Sequence, residues 1–249
     1  MKFYLIIFSL LFSVTLVAQS DLKTANELFE EKRYDEAIEA YESILSTGVE
    51  STALYYNLGN AYFRMNDIPR AILNYERSLL LNPNNEDAVH NLEFSRTKII
   101  DKIDAVDTFF LRAWINGLSG LMKSNSWAIW SVITFILCII ALFGYVFGRY
   151  KILKKIAFFS ACFLLLVSLS SFFFAKMQKD KYENREFAIV MDATVTVKSS
   201  PDESGTDLFL IHAGTKVKIR KIFENQQWFE IQLADGNTGW VRVTTVERI

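Results

Sequence analysis

Leu54 to Asn85 reads LYYNLGNAYFRMNDIPRAILNYERSLLLNPNN, and its spacing organises the amino-terminal third of the chain. Shifted by 34 residues, the sequence aligns Ala25 with Gly59, Leu28 with Tyr62, Tyr34 with Ile68, Ala37 with Ala71, Tyr41 with Tyr75 and Leu45 with Leu79. Small residues recur where two helices must approach closely, and large ones where they interlock. A fixed period of this length is the signature of stacked antiparallel helix pairs, with turns expected at Lys32-Arg33 and Met65-Asn66-Asp67.

Leu58, Gly59, Tyr62, Ala71, Tyr75, Leu79 and Pro83 stand at positions that resemble the tetratricopeptide repeat pattern. A weaker third unit opens at Asn85-Glu86-Asp87, with Val89 and Leu92 in phase and Ala105 and Phe109 still in register, but Glu93 takes the place of the small residue. The repeats are expected over 21–95, followed by an amphipathic capping or connector helix over 96–125 carrying Ile99, Ile103, Val106, Phe110, Trp114 and Leu121 at helical spacing. Two roles stay open for the connector: packing on the last repeat, or lying along a membrane surface.

Modules of this kind hold partner peptides in a groove lined by the first helix of each unit. The resemblance places Asn26, Tyr56, Asn60, Phe63, Arg64, His90 and Phe94 on that face. Asn26 and Asn60 match two asparagines with which some relatives grip a peptide carboxylate, while Leu22, His90 and Phe94 stand where those relatives carry Lys or Arg. From Asp21 to Ser95 there are 14 Asp and Glu against 6 Lys and Arg, an acidic surface that repels nucleic acid.

The chain has 249 residues, 51% hydrophobic, with a net charge of -1, but charge is sharply segmented. Residues 1–19 have the layout of a signal peptide: Lys2, an apolar run from Phe3 to Ala18, then small and polar residues. An uncleaved anchor helix is the alternative, and either one exports Asp21 onward. Residues 127–148 and 156–175 carry no charge and are long enough to cross a hydrocarbon layer, which needs about 20 residues. Trp127, Trp130, Tyr145 and Tyr150 lie near the ends of the first, where amphipathic rings favour the headgroup layer. Arg149, Lys151, Lys154 and Lys155 crowd the expected loop, 149–155, and point it to the cytoplasm by the bias of cytoplasmic loops toward cations. Both soluble modules are then expected on the periplasmic side of the cytoplasmic membrane.

Beyond a charged linker ending at Arg185 the spacing changes to alternation, as at Val195 and Val197 or Val217 and Ile219, which predicts strands. Asp235-Gly236 and Gly239 mark a hairpin between residues 228–233 and 238–243. Val197, Ser199, Pro201, Gly214, Trp228, Gly236 and Gly239-Trp240-Val241 resemble a bacterial SH3-like barrel over 186–249. Such domains bind cell-wall peptides or protein segments, so Trp228 and Trp240 are either barrel packing or a ligand surface.

The expected architecture is a multidomain membrane protein, with all-α tetratricopeptide helical repeats, a two-helix transmembrane hairpin and an all-β SH3-like barrel. No enzyme, cofactor or metal site is expected. The only histidines, His90 and His212, fall in different modules, and both cysteines, Cys138 and Cys162, lie within the apolar runs. This order of modules, with the stretches HNLEFSRTKIIDKID, NSWAIW and SSPDESGTDLFLIHAGTKVKI, resembles the BatE family of the Bacteroides aerotolerance operon. The resemblance implies a scaffold with membrane-anchored protein partners, encoded beside a MoxR-type ATPase and connected with oxidative-stress tolerance or envelope integrity; peptidoglycan is the alternative ligand, through the SH3-like domain.

Overall fold

The computed structural model describes residues 21–103, 110–223 and 227–249; the expected signal peptide and the register positions Ala105, Val106 and Phe109 lie outside them. The chain divides into two units: the repeats with the carboxy-terminal strands, and residues 108–184 with 82–84.

In the first unit, helix α1 is described over residues 21–30, followed by α2 (Tyr34–Ser46), α3 (Thr52–Arg64), α4 (Ile68–Leu81) and α5 (Glu86–Arg96). The helices stop where the period predicts. Lys32 and Asn66, one period apart, take left-handed φ of 63° and 61°. Around them Arg33 N–H reaches Leu28 O and Asp67 N–H reaches Tyr62 O, the 6→1 bonds that close a Schellman turn. Ser51 and Asn85 cap α3 and α5, accepting from the N–H of Leu54 and Ala88. Ala25, Ala37, Gly59 and Ala71 sit at the helix crossings, and a Cβ on Gly59 would lie 2.8 Å from the Tyr75 ring. Glycine there sets how closely α3 and α4 approach.

The expected connector helix is corrected between the repeats and residue 103: residues 97–103 form a turn, a bend and an irregular run. Ile99 leaves the helix to pack on the repeat core, and Ile103 packs on the core of the strands. Burial on two different surfaces cannot be met by one face of one helix.

The strands β1 (Phe187–Val190), β2 (Thr194–Lys198), β3 (Asp207–His212), β4 (Lys216–Phe223), β5 (Trp228–Gln232), β6 (Thr238–Arg242) and β7 (Val246–Arg248) form one antiparallel sheet in the order β3-β2-β6-β5-β4-β1-β7. Val195, Val197 and Ile211 from one end share a core with Ala188, Val190 and Val246 from the other, so the sheet curls on itself as an SH3-like barrel does. The hairpin at Asp235-Gly236 forms as expected, with Gly236 at φ 95°.

The two modules of this unit dock. Alternation sends Ala188 and Val190 into the barrel and Ile189 the other way, into the repeat core beside Ile72 and Ile249. Ile99 and Ile72 press on Gly214, where a Cβ would lie 2.5 Å from Ile99 Cγ2. Glu76, on the buried face of α4, takes hydrogen bonds from Arg96 and from Lys216 Nζ at 2.7 Å. Arg77 reaches Glu247 and the Arg248 carbonyl, and Arg185 holds Glu50 with two bonds of 2.8 and 3.0 Å.

The second unit holds α6 (Phe110–Gly120), α7 (Ser124–Phe147) and α8 (Lys151–Asn184). Helices α7 and α8 are each long and apolar enough to cross a membrane, with large apolar side chains exposed along both. The loop between them is shorter than the expected 149–155: only residues 148–150 lie outside helix, because the lysines continue α8. The expected linker after residue 175 is likewise helical to Asn184. The helices meet along small side chains. Ser124 donates to the carbonyl of Ala175, Ser131 to that of Ser168, and Cys138 Sγ to that of Ala161. Successive contacts fall seven residues apart on both helices, the heptad seam of left-handed packing.

Candidate polypeptide-binding groove

Two polar clusters, one period apart, join the first helices of successive repeats. Asn26 Oδ1 accepts from the Tyr41 hydroxyl at 2.7 Å and from Asn57 Nδ2 at 2.9 Å. Asn60 Oδ1 accepts from the Tyr75 hydroxyl at 2.8 Å and from Asn91 Nδ2 at 2.9 Å. Each cluster uses an asparagine on one first helix, a tyrosine on its second helix, and an asparagine on the next first helix. Burial pushes the Tyr75 hydroxyl well up, and pushes that of Tyr41, beside Glu30, up to about 12, so both remain donors through the neutral range.

The expected groove residues divide into those the structure brings together and those it leaves apart. Tyr56 adjoins the second cluster: its hydroxyl accepts from Asn91 at 3.3 Å and its ring lies 6.1 Å from that of Tyr75. Phe63 and Phe94 pair at 5.7 Å between ring centroids, and Lys98 Nζ lies over both, at 5.7 and 5.1 Å. Arg64 and His90 are exposed; the Arg64 charge acts on the Tyr75 hydroxyl of the second cluster, while His90 joins neither group. The face therefore runs from half-buried Asn26 and Asn60, with amide nitrogens that meet no acceptor among the described residues, to an aromatic pair topped by a cation.

Sequence reasoning missed Asn57, Asn91 and Lys98. The first two carried a legible signal, since Asn57 and Asn91 repeat with the same period as Asn26 and Asn60. Lys98 carried none, because it lies past the end of α5 and reaches the rings only through the turn at 97–100. The groove residues are distinct from those that hold the barrel: Ile72, Glu76 and Arg77 meet it from α4, with Glu50, Ile99 and Asp101 beside them. A separate cavity of about 510 Å³ is lined by Asp35, Ile38, Glu39, Glu42, Tyr62, Met65, Asp67 and Arg70, an acidic concavity across which Tyr62 donates to Glu42.

On the barrel, Trp228 is buried, with the Arg242 guanidinium 5.2 Å above its ring. Trp240 is half-buried and meets Phe223 edge to face at 6.1 Å. Of the two tryptophans, Trp240 therefore lies toward the surface with exposed Phe223, while Trp228 is packed beneath the Arg242 guanidinium.

Residues 53–85 match the tetratricopeptide repeat. Residues 193–247 match the bacterial SH3 domain. A comparison with curated proteins found no match. Both matched modules are binding and scaffolding modules, not catalytic ones, and they support protein partners for the repeats and cell-wall binding for the barrel.

Proposed function

We propose that the chain is a membrane-anchored adaptor that holds an extended segment of a protein partner in its repeat groove. The observation that carries this reading is the pair of Asn-Tyr-Asn clusters: each consumes the amide oxygen of Asn26 or Asn60 internally and leaves the amide nitrogen for a ligand. Amide donors on a rigid helical face suit the carbonyls of an extended peptide, and Lys98 over Phe63 and Phe94 adds a place for an apolar side chain flanked by a carboxylate. Docking of the SH3 domain on α4 supports the same assignment, since it leaves this face free.

In this reading α7 and α8 span the cytoplasmic membrane, Arg149, Lys151, Lys154 and Lys155 face the cytoplasm, and the repeats and SH3 domain work in the periplasm. The similarity to the BatE family makes other membrane-anchored proteins of a Bat-type aerotolerance or envelope-stress complex the expected partners. A photoreactive residue at Tyr56 or Phe63 should capture a specific protein in native membranes. If alanine at Tyr56 and Phe63 and charge reversal at Arg64 leave every complex intact, the groove reading fails.

The match to the bacterial SH3 domain and the Phe223–Trp240 pair favour a second reading, binding of peptidoglycan peptides. Detergent-solubilised full-length protein should pellet with purified cell wall and lose that behaviour on Trp240→Ala. No pelleting would leave the barrel a protein-docking module.

A further inference from the structure

The end of the hairpin where α7 turns into α8 carries charge that the protein itself does not neutralise. Arg149, Lys151, Lys154 and Lys155 stand close together, and the sequence has no Asp or Glu from 108 to 179. The first carboxylate along α8 is that of Asp180, about 37 Å past Lys155 at 1.5 Å per residue, which is several Debye lengths at physiological salt. Among the described residues, none of the four cations makes an ion pair or a side-chain hydrogen bond. The helix ends do not supply the missing charge either: the partial negative charge at the end of α7 lies beside the partial positive charge at the start of α8, and the two offset.

These cations are gathered on one side. At 100° per residue, Lys151, Lys154 and Lys155 fall within an arc of about 100° at the start of α8, with Arg149 in the turn before it. Lys154 takes the heptad position that precedes Ala161, Ser168 and Ala175, so it stands at the end of the seam between the helices. Its stem lies by the turn, since a Cβ on Gly148 would be 3.5 Å from Lys154 Cγ. Around the same stretch of helix, Ile152, Leu153 and Ile156 are 73%, 53% and 60% exposed. They occupy a second arc of about 100°, centred roughly opposite the lysines.

We propose that this end of the hairpin binds an anionic phospholipid, with Arg149, Lys151, Lys154 and Lys155 on its headgroup phosphate and Ile152, Leu153 and Ile156 along the start of its acyl chains. This rests on the membrane-spanning reading of α7 and α8. A turn of helix with an unneutralised cationic side and an exposed apolar side fits a ligand that joins anionic charge to hydrocarbon, and a bilayer crossed by these helices presents one at this level. A zwitterionic lipid offers the hydrocarbon without the net charge. A soluble anion or a nucleic acid offers the charge without the hydrocarbon. Arg149 can bond two phosphate oxygens at once, while the lysines add mobile point charges around them.

The test uses purified full-length protein in phosphatidylcholine vesicles, with Cys138→Ala and Cys162→Ala and one fluorophore-labelled cysteine at a time: Ile156→Cys beside the cations, or Ile136→Cys in the middle of α7. At equal mole fraction, phosphatidylglycerol with brominated acyl chains should quench the label at 156 about twofold or more beyond brominated phosphatidylcholine. That preference should vanish at about 1 M salt, where the Debye length is about 3 Å, and in a variant carrying Arg149→Gln, Lys151→Gln, Lys154→Gln and Lys155→Gln. Equal quenching at 156 by the two lipids, or a preference that survives the four substitutions, would overturn the proposal and leave the spans standing. Labels at 156 and 136 both unquenched would overturn the spans and the proposal together. A label at 156 shielded from both lipids while that at 136 is quenched would assign this end to a second copy of the chain and overturn the proposal. Loss of the preference on adding millimolar glycerol phosphate would make the ligand a soluble anion and overturn it too.

Discussion

Asn60 illustrates how a single side chain joins three helices. Its Oδ1 satisfies a buried tyrosine hydroxyl and bridges to the next repeat, so Asn60→Ala leaves the Tyr75 hydroxyl without its partner. The expected cost is about 1–3 kcal/mol in chemical denaturation, and Asn60→Ala with Tyr75→Phe should cost less than the sum of the two, since the unpaired hydroxyl is then gone. Buried tyrosines of the repeats, Tyr41 in the first cluster and Tyr55 bonded to Glu50, predict an alkaline limit. Tyr41 and Tyr55 are pushed up to about 12, chiefly by burial. The unfolded phenols ionise near 10, so their contribution is complete below that value and is lost as pH rises through the folded value. Thermal melting of the repeats should fall above pH ~10.

Asp101 acts as a latch between the modules. Its carboxylate accepts from the His212 backbone N–H, from the Thr215 hydroxyl at 2.6 Å and from His212 Nδ1 at 2.7 Å. Burial works against its charge, but these bonds together hold the carboxyl below its ordinary range. A depressed carboxyl contributes fully above its unfolded value, near ~3.9, and its contribution fades as pH falls through the folded value. Docking should therefore weaken on strong acidification. Asp101→Asn should cost on the order of 1–3 kcal/mol at neutral pH and flatten that dependence, followed by melting of full-length protein in detergent.

At the scale of elements, α7 and α8 are joined by hydroxyls and small side chains, the pattern expected under the proposed membrane-spanning reading, in which lipid gives two apolar helices no hydrophobic reason to associate. Ser131 and Ser168 each donate to the other's carbonyl, at 3.0 and 2.9 Å. A Ser131→Cys, Ser168→Cys pair should form a disulfide under mild oxidation. The native pair should not, since Cys138 faces Ala161 while Cys162 is exposed on the outside of the hairpin. Gel mobility before and after reduction reads both outcomes. The heptad was already present in the sequence as Ser124, Ser131 and Cys138 against Ala161, Ser168 and Ala175, but the register that pairs them depends on a turn much shorter than the run of cations suggested.

At the scale of the molecule, the repeats and SH3 domain form one unit because α4 is buried on every side from Ala71 to Glu76. Ala71, Leu73 and Tyr75 serve the repeats, while Ile72 and Glu76 meet the barrel. Gly214 sits at this contact with φ 89°, a conformation that costs other residues, and with no room for a Cβ. Gly214→Val should separate the modules without unfolding either, seen as a larger radius in small-angle scattering and new proteolysis between Arg96 and Asp101.

Periodic features were legible in the chain itself. A 34-residue repeat, two uncharged runs and alternating strands each arise from how neighbouring residues share a helix or strand face, and local spacing alone reports that. Asn26 and Asn60 were singled out through the resemblance to the tetratricopeptide pattern. What the tertiary structure alone decided depends on residues far apart in the chain. Ile189 leaves the barrel for the repeats, Ile99 and Ile103 break the expected connector helix to fill two cores, Lys98 caps Phe63 and Phe94 from beyond its helix, and Ser119 ties α6 to the hairpin. None of these has a period, because each is set by which distant surface offers the largest burial or the missing hydrogen-bond partner.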